Sequence, residues 1–145
     1  MTHAVSPIIS VMLAVPDAAV AAAWYRDAFG AEELWNLGSV VGLVIAGAPV
    51  FLGEPSNNGW DHPARLGMPS VRVEVFCDDP DAFLRRAVAA GARGRTYPAR
   101  VHDMPWGPHR QGSFTDPFGH IWFVGDRSPL QRHAAAATPP AERTP

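Results

Sequence analysis

The same order of side-chain patterns runs through this chain twice, and that repetition restricts the possible folds more than any other feature. Residues Ile8 to Val15 alternate, with Ile9, Val11, Leu13 and Val15 on one face and Ser10, Met12 and Ala14 on the other, as in a two-faced strand. Pro16-Asp17 stops the strand. Asp17 is a good N-cap, and Ala18 to Phe29 reads as a helix with Val20, Trp24 and either Ala28 or Phe29 on one stripe, closed by Gly30. Three short strand patterns follow, Glu32 to Leu37, Val40 to Ala46 and Pro49 to Gly53. The order then restarts. Ser70 to Cys77 alternates as a strand, Asp78-Asp79-Pro80-Asp81 caps a helix through Ala90, Gly91 ends it, and Arg93 to Arg100, Gly112 to Thr115 and His120 to Val124 supply three more strands. The two copies lie about 62 residues apart, Ser10 falling on Arg72 and Phe29-Gly30-Ala31 on Ala90-Gly91-Ala92. The expectation is an α+β fold of two βαβββ modules, about residues 7–54 and 69–126, within one domain of residues 1–127. A polar loop, 54–68, joins them, and residues 128–145, rich in Ala, Pro, Arg and Thr without periodicity, read as a disordered tail.

The densest chemistry lies between Trp106 and Phe123. Thr115-Asp116-Pro117-Phe118-Gly119 is a turn: Pro117 presets φ, Asp116 can bond the backbone ahead of it, and Gly119 supplies a positive φ. Strands flank it, and their aromatics either fill a core or form one wall of a ligand cup.

A chain of 145 residues can bury a sizeable core. Its net charge of -2 offers no basic field to a phosphate backbone, which excludes nucleic acid as a partner. No window approaches the length of a membrane span and the N-terminus lacks a secretory pattern, so a soluble cytoplasmic protein with no membrane partner is expected. The one cysteine, Cys77, rules out an internal disulfide and reads as a packed thiol at a strand end. Of five tryptophans, Trp35, Trp60 and Trp106 fall outside the obvious core strands, near polar loops where flat side chains meet flat ligands.

With the repeat established, the chain resembles the vicinal oxygen chelate superfamily, the glyoxalase and bleomycin-resistance group. The likeness covers Ile8 to Gly125 and rests on Val15-Pro16-Asp17, the helix ends Trp24 to Ala31 and Ala90-Gly91-Ala92, and above all Asp116-Pro117-Phe118-Gly119-His120. With Trp106-Gly107 and Trp122 it is most similar to the PhnB-like branch. The resemblance implies a curved mixed sheet forming a cup, helices outside it, and a homodimer. It also implies a divalent metal held by His, Gln or Glu on the inner sheet face, yet the matching positions hold Ser10, Phe51, Arg72 and Phe123. A guanidinium repels a cation and a phenyl ring has no lone pair to donate, so neither metal nor other cofactor is expected there. The other potential ligands, His62, His102, His109, His120, Asp103 and Glu54, sit on loops or on the wrong strand parity, and His120 reads as an outward-facing or structural histidine.

If valines and leucines face the helices, the hollow is lined by Ser10, Met12, Phe51, Arg72, Glu74 and Phe123, with Trp35, Trp60 and Trp106 at the rim. Such a lining suits metal-free binding of a small aromatic or otherwise flat organic molecule, an antibiotic or a natural-product intermediate. Arg72 and Glu74 share a strand face, so they either pair with each other or reach the ligand. A second reading is a metal-free isomerase, cyclase or lyase in which Glu74 is the base and Arg72 stabilises an oxyanion. A third is a metal-dependent glyoxalase, epimerase or dioxygenase with relocated ligands.

Overall fold

The chain is described here by a computed structural model over residues 5–133. The first module comprises β1 (Val11–Ala14), α1 (Ala18–Phe29), β2 (Glu32–Asn36), β3 (Val40–Ile45) and β4 (Ala48–Gly53). A short helix, α2 (Pro63–Leu66), interrupts the connecting loop. The second module repeats the order as β5 (Arg72–Phe76), α3 (Pro80–Ala89), β6 (Arg93–Met104), β7 (Gly107–Thr115) and β8 (Ile121–Gly125). Each module forms its own mixed four-stranded sheet, β1-β4-β3-β2 and β5-β8-β7-β6, with one parallel pair apiece, β1 with β4 and β5 with β8.

The valine and leucine faces point inward within the strands, but Ile9 and Val71, expected on the same faces, precede β1 and β5 and lie exposed. Leu13, Val15, Val41, Leu43 and Leu52 from the first sheet join Val75, Phe114, Trp122 and Val124 from the second in one core. Each such side chain contributes roughly 1.5–3 kcal/mol by leaving water. Both helices start on side-chain caps, Asp17 accepting from Val20 N at 3.1 Å and Asp79 from Ala82 N at 3.1 Å. The buried stripe of α1 is Ala18, Ala21, Ala22, Tyr25 and Ala28. The expected stripe through Val20 is corrected: Val20 faces solvent, because α1 is apolar nearly all round and tertiary bonding to Tyr25 decides its rotation.

The hub between modules is Asp116. Its Oδ1 accepts from Phe118 N at 2.9 Å and His120 N at 3.0 Å, which closes the turn before β8. Its Oδ2 accepts from Trp122 Nε1 at 2.9 Å and from the Tyr25 hydroxyl of α1, far away in sequence. Burial, followed by the neighbouring Asp116 carboxylate, pushes the Tyr25 pKa well above its ordinary value. Further ties run from Trp24 Nε1 to Ala90 O (2.8 Å) and from Arg86 Nε to Asp27 O (3.1 Å). The Phe29 ring meets Trp122 at 4.8 Å between centroids.

Two further expectations are revised. β6 and β7 are longer than their patterns suggested and meet at the Met104–Gly107 turn; Pro98, Pro105 and Pro108 obscured the alternation. Residues 128–133, read as the start of a tail, instead include a 3₁₀ turn at Ser128–Leu130 held by Ser128 N donating to Asp126 Oδ1 at 3.0 Å. The rest of that tail, 134–145, lies outside the described residues. Among those residues no helix is long and apolar enough to cross a membrane.

Candidate functional site

Across the first sheet, strand register places Trp35, Gly42, Phe51 and Met12 in one row, in the order β2-β3-β4-β1. All lie on the face away from the core, since their strand neighbours Leu13, Val41, Leu43 and Leu52 are buried. Trp35 reaches this face because the β2–β3 register shifts between Glu33 and Trp35, leaving Leu34 as an extra residue. Its indole then lies 5.2 Å from the Phe51 ring, centroid to centroid. Two glycines make the floor. A Cβ at Gly42 would sit 2.6 Å from the Trp35 ring, and one at Gly53 would sit 2.8 Å from Met12 Sδ and 3.3 Å from Trp60. Thus Met12, Trp35, Phe51 and Trp60, from three strands and the connecting loop, form one apolar surface. Met12 is 45% exposed, and Trp35 and Trp60 are each 37% exposed. Ser10, at the edge of this surface, spends its hydroxyl on Pro49 O at 2.8 Å.

The corresponding row of the second sheet is Glu74, Phe123, Ser113 and Thr96, with Arg95 as the extra residue of a matching bulge. The row beside it is Arg72, Ile121, Thr115 and Arg93. Arg72 lies over the Phe123 ring at 4.0 Å, and Arg95 approaches the same ring at 5.8 Å. Arg72 Nε stands 3.7 Å from Glu74 Oε2, a loose ion pair between half-exposed groups that leaves both able to turn to a ligand. Beside the first surface lies a hollow of about 250 Å³ whose lining includes Met12, Trp60 and, just ahead of β5, Ser70 and Val71.

Trp106 stands apart from both surfaces, a correction to its expected place at the rim. Its Nε1 donates to Ser128 Oγ at 3.0 Å and its ring stacks on His133 at 4.8 Å, so the segment after β8 covers it. Sequence reading missed Gly42, Gly53, Arg93, Arg95, Ile121 and Thr115. Glycine inside a strand was the available signal for the first two, since it marks close approach of another group.

The groups that could have relocated a metal are engaged elsewhere. Glu54 Oε2 accepts from Ala18 N at 2.9 Å at the start of α1, His120 Nε2 donates to Ala14 O at 2.7 Å, and His109 Nδ1 bonds Asp126 Oδ1 at 2.7 Å. Burial raises the Asp126 carboxyl pKa, but bonds from Arg110 N, His109 and Ser128 outweigh it and hold the group well below its ordinary range. His102 and Asp103 lie exposed on β6, and His62 faces Asp61 at 3.8 Å in the loop. Among the described residues no three His, Cys, Asp or Glu side chains gather as a metal site. At the inner-face positions, Ser10 is spent on backbone, Phe51 and Phe123 have no donor atom, and Arg72 is cationic, so this set does not fit a divalent cation. Cys77 sits half-buried at the end of β5, where burial pushes its thiol pKa up and suppresses the reactive thiolate.

Two βαβββ modules, each presenting an open sheet face while helices bury the other, define a protein of the glyoxalase-like class. The Glyoxalase/Bleomycin resistance protein/Dioxygenase superfamily model matches residues 8–124, and the chain belongs to that superfamily. An uncharacterized protein of Mycobacterium bovis is 37% identical over 131 residues, covering 83% of this chain and 84% of the relative. The fold is also similar to that of the fosfomycin resistance protein FosX of Listeria monocytogenes, solved with manganese(II) and sulfate (TM-score 0.62, 19% identity, 85% of this chain and 91% of that one). TioX from Micromonospora sp. ML1 is similar in fold (TM-score 0.62, 24% identity, 83% and 98%), as is an Arabidopsis thaliana gene product (TM-score 0.64, 25% identity, 84% and 100%).

Proposed function

We propose that this protein binds a small, flat organic molecule without a metal or other cofactor, as a cytoplasmic homodimer of the PhnB-like branch. The observation that carries the reading is the solvent-facing row of Met12, Phe51 and Trp35, joined by Trp60 and floored by two glycines. Folding alone does not call for two half-exposed indoles beside a phenyl ring and a thioether, whereas a planar apolar molecule would gain both stacking and burial there. The metal-free part rests on the four matching positions, where the Ser10 hydroxyl is spent on backbone, Phe51 and Phe123 offer no donor atom and Arg72 is cationic. A bound antibiotic or biosynthetic intermediate would be held and shielded from solvent. Resistance proteins among the structural neighbours make sequestration a reasonable use for such a site.

The test is tryptophan fluorescence titrated with planar aromatic compounds. Saturable quenching that weakens in Trp35→Phe and Phe51→Ala is expected. Near-stoichiometric divalent metal required for that quenching would replace the proposal with a metalloprotein, and no saturable quenching by any planar compound would remove it.

A further inference from the structure

The second module's open face carries charge that neither the core nor an ion-pair network accounts for. Arg72 and Arg93 occupy the two ends of one cross-strand row, and Arg95 is the extra residue of the adjacent bulge. Two residues beyond Arg93, Arg95 takes the same face by strand alternation, and its guanidinium lies 5.8 Å from the Phe123 ring that Arg72 already covers. Among the described residues of these strands, Glu74 is the one carboxylate on the face, and it stands in the loose pair with Arg72. Asp116 lies near Arg93 in the fold, but Tyr25, Trp122 and two backbone N–H groups take up its oxygens. Among the described residues, neither Arg93 nor Arg95 pairs with a carboxylate.

Both arginines line a hollow of about 390 Å³, together with Thr115, Ile121, Pro63 and Met68. Its floor is strand, its far wall is the α2 segment, and its polar side chains are two guanidiniums and a hydroxyl. All three can donate hydrogen bonds, and the guanidiniums cannot accept them. Such a set matches an oxyanion, which takes bidentate bonds from a guanidinium fork and a third from a hydroxyl.

We propose that this hollow is an oxyanion subsite and that the ligand is an organic anion, a flat apolar body bearing a carboxylate, sulfonate or phosphate held by Arg93, Arg95 and Thr115. The flat body in this inference rests on the function proposed above, while the oxyanion subsite stands on its own geometry.

Two measurements separate the parts. First, 2-naphthoate and the neutral 2-naphthalenemethanol are titrated into the full chain, wild type and Arg93→Gln/Arg95→Gln. In wild type the anion binds at least roughly tenfold tighter, as expected for charge-assisted bonds. The double variant loses that preference while its affinity for the neutral compound holds. Equal affinities in wild type, or a preference that survives the double substitution, overturns the subsite. Second, arginine Nε–H resonances are followed by NMR as inorganic phosphate is added, with chloride at matched ionic strength as the control. Saturable, phosphate-specific shifts of the Arg93 and Arg95 signals are expected, and their absence overturns the subsite. Phosphate shifts without quenching by either naphthyl compound would retain the oxyanion subsite and remove the flat-ligand reading.

Discussion

Met12–Phe51–Gly42–Trp35 in the first module and Glu74–Phe123–Ser113–Thr96 in the second are the same row of the same fold, written in different chemistry. Each row centres on a phenylalanine, and each sheet bulges near its far strand. In the first, the bulge delivers an indole onto Phe51. In the second, the equivalent residue is Thr96, and the extra residue Arg95 directs a guanidinium toward Phe123. The backbone plan is common to both, so the difference lies in side chains alone: one face can exclude water from a flat apolar body and the other can neutralise an anion. The third-to-fourth strand turns differ as well. Ala46-Gly47 makes only the local turn between β3 and β4, whereas Asp116 closes its turn and also ties β8 to α1.

The turns offer the largest contrast to test. Asp116→Ala strands the buried Tyr25 hydroxyl, the Trp122 indole N–H and two backbone donors, and should cost about 3 kcal/mol or more in urea unfolding. Gly47→Ala has open space around the new Cβ and suffers only the penalty of its φ of 79°, roughly 1–2 kcal/mol. Equal costs would show that the Asp116 hub adds nothing beyond turn geometry. The same tie sets an alkaline limit. The Tyr25 pKa is raised above its unfolded value of 10.0, so its stabilisation is complete below about pH 10 and is lost as pH rises toward the folded value. Thermal melts of wild type should decline above pH 10, and the decline should shrink in Tyr25→Phe.

A smaller effect distinguishes the two phenylalanines. Phe51→Ala should weaken 2-naphthalenemethanol binding by roughly tenfold, while Phe123→Ala changes it less than about threefold. Equal losses would mean that the two faces act as one apolar surface. Smallest of all, Arg72→Ala should lower stability by no more than about 1 kcal/mol, because its stacking on Phe123 and its pairing with Glu74 are both solvent-exposed. A larger loss in urea unfolding would make Arg72 a structural residue.

Much of this was legible in the residues. Alternation in Val11–Leu13 and Arg72–Val75 showed which side chains leave the core, because strand period is set by backbone geometry, whereas Ile9, Ala14 and Val71 depart from the pattern at the strand ends. The donor-poor inner face could be read the same way, residue by residue. The rotation of α1, the length of β6 and β7 and the place of Trp106 could not. α1 is apolar almost all round, prolines mask the alternation of β6 and β7, and Trp106 is drawn away by Ser128 and His133, partners that no local pattern announces.

By itself, then, the order of residues determined two βαβββ units, their helix caps and the Asp116 turn, since these follow from short-range backbone sterics and periodicity. Tertiary structure alone decided that Trp60 joins Met12 over Gly53, that register shifts send Trp35 and Thr96 to the open faces, and that Arg93 and Arg95 stand without carboxylate partners among the described residues. The physical reason is that register shifts and contacts between distant segments depend on which surfaces compete for each side chain once the sheets have formed.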